Sequence, residues 1–556
     1  MQLSRREMIR QTARAVAGVG VGWLATDRAH AAGTGEAREA GAGRAAAGIA
    51  RDTAVTAALQ LPDAEITSAY AKAVTQNVLA AVDPKVFFGY WSVCADREGF
   101  GRGNTYPSLD GHQMSDALLW LGEVEVVKAN WDYVRSFQKP NGRLPLAILP
   151  GAREVYGQPV EANGGFYTHW VPGDPLRALG STTYVQNADV LFRFTQDLSW
   201  LRTNLSSVNL AGEFLASLTT SEGLVQGGGY YVEMPSRLEF DGVAQCHAAD
   251  AFRRLAALNQ VVGDTHSARR YASLAARITN CFRRRFWTGR HFAEYLHPEH
   301  GVIDRHGLTD ANWAALALGI ANPRQVARLW PELRDEPGFR FGGIPTAIAT
   351  RPETYDDWEF TLPQSFSGAN RRHDLAAMGR VWHLEAWARA RQGDGEGLAE
   401  TLCRVGRLGR ENGYSWRERY YPPDGLAAGP NTYCEYPANL IRVVNRFLLG
   451  VEFQLEGTLV IAPTVPARYW QAGFGHTLIW RGRKLSFHFE ADAMRGTFTG
   501  AGPQHLGVRL KGRNDNLWAT VGERTHRPRV RSGVILVELL PSPEPCAFAV
   551  WRKTRA

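Results

Sequence analysis

The sequence predicts a mainly α protein, an (α/α)6 toroid of paired helices followed by a small C-terminal antiparallel β-sandwich. Three observations predict it. Apolar residues recur at helical spacing across residues 64–449. Gly-Asp and Asn-Pro pairs punctuate that pattern, as tight turns between antiparallel helices do. After Gly450 the apolar period shortens to two, in bursts separated by Pro, Gly and Asn.

Taken in order, residues 1–31 read as a targeting segment rather than structure. Ser4-Arg5-Arg6-Glu7-Met8-Ile9 resembles a twin-arginine export motif, Ala15 to Ala25 is a short apolar run, and Ala29-His30-Ala31 is a small-x-small cleavage site. The run is too short to anchor in a bilayer. The expectation is export to the periplasm or beyond, with no membrane anchor. Residues 32–62, rich in Ala, Gly and Arg, read as a flexible linker.

Residues 63–450 form the expected helical body. Four apolar series mark helices: Leu118, Leu121, Val124, Trp131 and Val134; Val190, Leu191, Phe194, Leu198 and Leu201; Phe252, Leu255, Leu258 and Val262; Leu375, Met378, Trp382 and Ala386. Gly263-Asp264 and Gly393-Asp394 each end one helix and cap the next, and Asn322-Pro323 is a cap with proline in the first turn. Eleven or twelve helices in this span suit a closed ring of six hairpins. Residues 451–556 form the expected sandwich, with strands at Leu459–Ile461, Thr477–Trp480, Lys484–Glu490, Gly507–Leu510, Val534–Leu539 and Ala547–Trp551.

Composition narrows the function classes. The chain has 556 residues, 44% apolar and 21% charged, which suits a large globular core. Its formal charge is +8, part of it in the leader arginines, and the remaining excess is too dilute to argue for a nucleic-acid partner. The one basic run, Arg524 to Arg531, reads as a solvated loop. Seventeen Trp residues are as consistent with sugar-binding platforms as with a large core. Six Cys fit neither a zinc site nor a disulfide scaffold and read mostly as buried thiols. There is no Gly-rich phosphate loop, paired-Cys motif or His-x-x-x-His, so no metal or cofactor is expected.

Polar and aromatic residues cluster in the loops between helices. The first cluster, Asn104 to Gly111, contains Tyr106 and Asp110; Asp110 is either a helix cap or a carboxylate for substrate hydroxyls. The second, Arg237-Leu238-Glu239-Phe240-Asp241, puts two acids before an apolar helix, where one can cap and the other donate a proton. The third, Tyr355 to Phe360, offers Trp358 and Glu359 as a cleft wall or a solvated loop. In the fourth, Tyr414 to Gly425, Glu418 lies between Arg417 and Arg419 with Trp416 and Tyr420 beside it; the arginines favour the ionised state a general base needs. Glu435 follows and opens the last helix, where the helix dipole favours an acid. Glycoside cleavage needs two carboxyl groups across the bond, and a ring of hairpins would bring residues 241 and 418 to one opening.

At these residues the chain resembles the six-hairpin glycosidases: glycoside hydrolase family 63, the family 37 trehalases and, more loosely, α-L-rhamnosidases and glucoamylase-like enzymes. The resemblance covers roughly residues 85–500. Arg237-Leu238-Glu239-Phe240-Asp241 is similar to the general-acid segment of families 63 and 37 and assigns that role to Asp241, although Phe240 replaces their usual Gly and the spacing is shorter. Glu418-Arg419-Tyr420, with Pro422 and Gly425, is similar to their general-base segment and assigns the base to Glu418. Leu459 to Pro466 resembles the strand after their barrel. The leading expectation, from the ring of hairpins with Asp241 and Glu418, is an inverting glycoside hydrolase acting on an α-linked sugar or oligosaccharide, and the loop clusters offer Tyr106, Asp110, Arg237, Glu239, Trp358, Glu359, Trp416, Arg417, Tyr420 and Glu435 as substrate contacts. A phosphorylase or polysaccharide lyase on the same scaffold, and a sugar-binding protein without activity, are the alternatives.

Overall fold

The computed structural model describes residues 57–553 apart from 84–90, 99–103, 156, 229, 231, 341–342, 344–345, 361–371, 422–425 and 513–514. The targeting segment, most of the linker, Pro422 and Gly425 lie outside the described residues.

Among the described residues, twelve helices build the body: α1 (Ala64–Lys72, continued by a π turn over Ala73–Val78), α2 (Leu109–Trp120), α3 (Val124–Arg135), α4 (Leu179–Thr195), α5 (Leu198–Ser217), α6 (Gly242–Val262), α7 (Thr265–Arg285), α8 (Asp310–Ala317), α9 (Pro323–Asp335), α10 (Trp382–Arg391), α11 (Gly395–Glu411) and α12 (Glu435–Val443). The even-numbered helices contact one another in a circuit: α2 on α4, α4 on α6, α6 on α8, α8 on α10, α10 on α12, and α12 back on α2. Each odd-numbered helix contacts at least one even-numbered helix of that circuit.

The sequence explains the division. Every residue of α8 is buried, as a helix walled on all sides requires. Helix α7 instead buries only Ala268, Tyr271, Leu274, Ala275, Ile278, Cys281 and Phe282, a single stripe at helical spacing. Each buried side chain of Leu or Phe size contributes roughly 1.5–3 kcal/mol. Buried ion pairs tie α2 to α12 and α4 to α6. Asp116 on α2 meets Arg442 at 2.9 Å and Arg446 at 2.7 Å, and Asp189 on α4 meets Arg254 of α6 at 2.6 Å.

The joints form as their chemistry dictates. Gly263 and Gly393 have φ of 88° and 72°, and Asp264 and Asp394 accept from Ser267 N and Gly397 N. Asn322 and Gln325 complete a capping box. Three apolar series are interrupted where one helix was expected. Leu118–Val134 breaks at Gly122, which has φ of 81°. Val190–Leu201 breaks at Gln196 (φ 54°), after which Asp197 caps α5 through Trp200 N. Leu375 ends a 3₁₀ turn and Met378 a short strand, so only Trp382 and Ala386 of the fourth series are helical.

After α12 the chain forms a seven-stranded and a five-stranded sheet. Their strands include Leu459–Ile461, Phe474–Trp480, Arg483–Glu490, Gln504–Val508, Val534–Leu539 and Ser542–Arg552. Two expectations change. Leu59–Gln60, placed in the linker, pairs with Gly475 and His476 as an edge strand, because its backbone finds an open ladder there. The basic run is two exposed short strands, Arg524–His526 and Arg529–Arg531, at the edges of the two sheets. Phe453 stacks on Trp120 at 5.9 Å and meets Phe194 at 5.1 Å, which seats this β region on the C-terminal ends of α2 and α4. All six Cys are free.

Candidate active site

The charged loops converge at the other end, where the even-numbered helices begin. Asp110 is the second residue of α2, and Glu435 the first of α12. Arg380 lies just before α10, His169 before α4, and Glu233 before α6. Helix N-termini carry partial positive charge, so carboxylates gather there at little cost.

Arg380 organises one group. Its Nη2 pairs with Glu418, and its Nε lies 2.9 Å from Glu435 Oε1. Arg419 Nε is 3.5 Å from the other Glu418 oxygen. The Tyr433 hydroxyl donates to Asp110 Oδ1 at 2.5 Å. Tyr106 packs half-buried on the patch formed by Val93, Cys94 and Tyr433. Burial pushes the Glu435 carboxyl up; Asp110 and Glu418 push it further against the pull of Arg380, and it ends well above the ordinary carboxylate range. The 2.9 Å contact with Arg380 is not aligned as a hydrogen bond, and neither Glu435 oxygen receives a donor. Asp110 lies close enough to Glu435 to raise its carboxyl by a side-chain hydrogen bond as well as by charge. Asp110 reaches the surface more than Glu435 does, since Glu435 is 3% exposed.

A second group stands on neighbouring loops. Glu233 lies between His169 and His373, and Trp170 packs half-buried against Met234, Ala349, Tyr355 and Phe360.

The expected proton donor is elsewhere. Asp241 is 0% exposed and caps α6, accepting from Ala244 N at 2.8 Å and Tyr230 N at 3.3 Å, with Arg237 3.3 Å away. Burial pushes its carboxyl up against these lowering contacts. A carboxyl group with both oxygens spent inside the protein does not reach a glycosidic oxygen, so the structure corrects its assignment. Arg237 is also fully buried and binds Glu294 and Asp310 at 2.5 and 2.9 Å; it neutralises an interior cluster and is not a substrate contact.

Several further expectations shift for similar reasons. Glu359 is buried, accepting from Tyr295 at 2.5 Å and Arg305 at 2.5 Å. Trp416 is core, its indole against Gly409. Tyr420 is buried, and its hydroxyl accepts from Arg417 N; Arg417 itself braces the loop through Gly429 O. Glu239 is partly exposed but ion-paired to Arg177. Trp358 stacks on His300 at 3.8 Å on the outer side of the third cluster. The structure therefore brings together Tyr106, Asp110, Glu418 and Glu435 from the expected set, and adds His169, Trp170, Glu233, His373, Arg380 and Tyr433. The run Tyr167-Thr168-His169-Trp170 was the available signal for two of them: rings and a His in a loop between helices.

No protein-family model matches the sequence, and no curated protein does. Solved structures share its fold. An α-L-rhamnosidase from Dictyoglumus thermophilum aligns with a TM-score of 0.56 at 12% identity, over 89% of this chain and 50% of that one. The Streptomyces avermitilis α-L-rhamnosidase complexed with L-rhamnose aligns at 0.53 and 12%, over 89% and 42%. A sialidase aligns at 0.57 and 12%, over 78% and 38%. The chain thus spans half or less of the length of these structures. The likeness shows a shared fold and no more; α-L-rhamnosidases are among these neighbours, and the nearness to glycoside hydrolase families 63 and 37 read from the sequence is not confirmed.

Proposed function

We propose that this chain is an exported glycoside hydrolase in which the contact circuit of α2, α4, α6, α8, α10 and α12 closes an (α/α)6 toroid. The observation that carries the reading is the Arg380 centre, where one guanidinium pairs with both Glu418 and Glu435 while Asp110 lies beside Glu435. The pair stores a proton for the departing glycosidic oxygen, delivered by Asp110 from the cleft side. Glu418 takes the proton of the attacking water. An inverting reaction has its two carboxyl groups roughly 6.5–9.5 Å apart, with the attacking water between the base and the sugar. Carbohydrate is the proposed partner, with α-L-rhamnosides first among substrates because two fold neighbours bear that activity in their names. Among the described residues no helix is long and apolar enough to cross a membrane. Export by the twin-arginine route rests on residues 4–31.

The test is a panel of aryl glycosides with wild type, Glu418→Gln and Asp110→Asn. Hydrolysis of at least one member by wild type, falling at least 100-fold in Glu418→Gln, is the expected result. Undiminished turnover in both variants would remove the two groups from the reaction.

A further inference from the structure

Among the described residues at the opening, Glu233 has two imidazoles rather than an arginine or a second acid against its carboxylate. Its side chain is 21% exposed, whereas the imidazoles beside it, His169 and His373, are 4% and 3% exposed. Their tautomers follow from the backbone. His169 Nδ1 accepts the Val171 N–H at 3.0 Å, so its ring hydrogen sits on Nε2, which faces Glu233 Oε1 at 3.5 Å. His373 Nδ1 accepts the N–H of Glu233 at 3.3 Å, so its Nε2 hydrogen faces Oε2 at 3.8 Å. His373 is fixed in turn by donating its own N–H to Met234 O at 3.1 Å. Each carboxylate oxygen thus has one donor on the protein side, at a distance too long for a full hydrogen bond. Each oxygen keeps acceptor capacity, and the side chain is exposed enough for a ligand to use it.

Burial alone would raise this carboxyl; the His169 side chain facing it, His373 and Arg380 reverse that and hold it well below the usual range. A carboxylate so weakly basic is poorly matched to moving protons in catalysis. It is well matched to accepting two hydrogen bonds at once. Trp170, on the apolar patch that includes Met234, adds a ring face beside it.

We propose that Glu233 is the specificity-determining acceptor for two adjacent hydroxyl groups of the bound sugar, one on each oxygen, with Trp170 covering the sugar's C–H face. The inference rests on the glycosidase reading and deepens it: the substrate class becomes glycosides whose bound sugar carries a free vicinal diol. His169 and His373 act through Glu233 as positioning residues.

The experiment uses the full chain and the 4-nitrophenyl glycoside that wild type turns over fastest, with its monodeoxy derivatives lacking one or other hydroxyl of the diol. Glu233→Gln should raise KM about 10- to 100-fold with a smaller effect on kcat and an unchanged melting temperature. Removing one of the two hydroxyls should weaken wild type by a similar factor and add little in Glu233→Gln, because the lost acceptor and the lost donor are the same interaction. Equal losses from the deoxy substrates in both proteins, or an unchanged KM in Glu233→Gln while Glu418→Gln is inactive, would overturn the role of Glu233 and leave the glycosidase reading standing. Failure of wild type to turn over any glycoside would overturn both. Should Glu233→Gln fold poorly, Trp170→Ala supplies the second arm: a rise in KM shared by every deoxy substrate is expected, and no rise would count against the subsite.

Discussion

Replacing Arg237 with Met distinguishes a structural arginine from a substrate-binding one. The guanidinium is 0% exposed and lies 3.3 Å from Asp241, 2.5 Å from Glu294 and 2.9 Å from Asp310. Removing the cation strands three buried acids, and breaking a buried pair in this way costs about 3–5 kcal/mol. That is a large part of the roughly 5–15 kcal/mol that holds a folded domain together. The loss should also depend on pH with a definite sign. Burial, together with Asp241 and Glu294, already raises Asp310 to about 7 even though Arg237 opposes it. Without Arg237 the folded-state values of Asp241 and Asp310 rise further above their unfolded values of about 4, and Glu294, now held below its ordinary value, rises as well. A group raised on folding contributes stability that is fully present below its unfolded pKa and is lost as pH rises through the folded one. The deficit of Arg237→Met should therefore shrink between pH 8 and pH 5. Denaturant unfolding followed by helical circular dichroism at the two pH values measures it. A deficit that is the same at both, or below about 1 kcal/mol at pH 8, would refute the reasoning.

Two other substitutions test neighbouring parts of the account. Burial alone would lower His306, but Glu294 and Glu359 raise it to about 9, so wild-type stability should fall as pH climbs from about 6.5 to 9. The contribution is on the order of 3 kcal/mol, and His306→Gln should flatten that slope in the same unfolding assay. At Gly409 an added Cβ would stand 2.2 Å from Trp416 Cζ2, so Gly409→Ala should cost about 1–3 kcal/mol by overpacking and alter Trp fluorescence. A silent Gly409→Ala would mean that Trp416 is not the core residue described.

What was legible in the sequence was local. Gly263-Asp264, Gly393-Asp394 and Asn322-Pro323 announce their turns because a left-handed glycine and a capping side chain act within four residues. The apolar series through Gly122 and Gln196 misled because two helices joined by a tight turn can keep one period running across the joint. The same limit governs the opening. Glu418 was legible because its arginine and ring neighbours crowd one loop. Asp241 was misread because a buried cap and a proton donor look alike before a helix; only exposure separates them. Glu233, His169, His373 and Arg380 come from separate loops, and nothing in a single segment records that they meet.

The central claim is that the Asp110–Glu435 pair gives a proton to the leaving oxygen while Glu418 serves the water. Leaving-group dependence tests it most directly, by measuring kcat/KM of wild type and Asp110→Asn on two glycosides of one sugar, one with an alkyl leaving group and one with 2,4-dinitrophenol. The alcohol needs a proton to depart and the dinitrophenolate does not. Asp110→Asn should lose at least 100-fold on the alkyl glycoside and far less on the dinitrophenyl one. An equal loss on both would contradict the assignment of the proton to this pair.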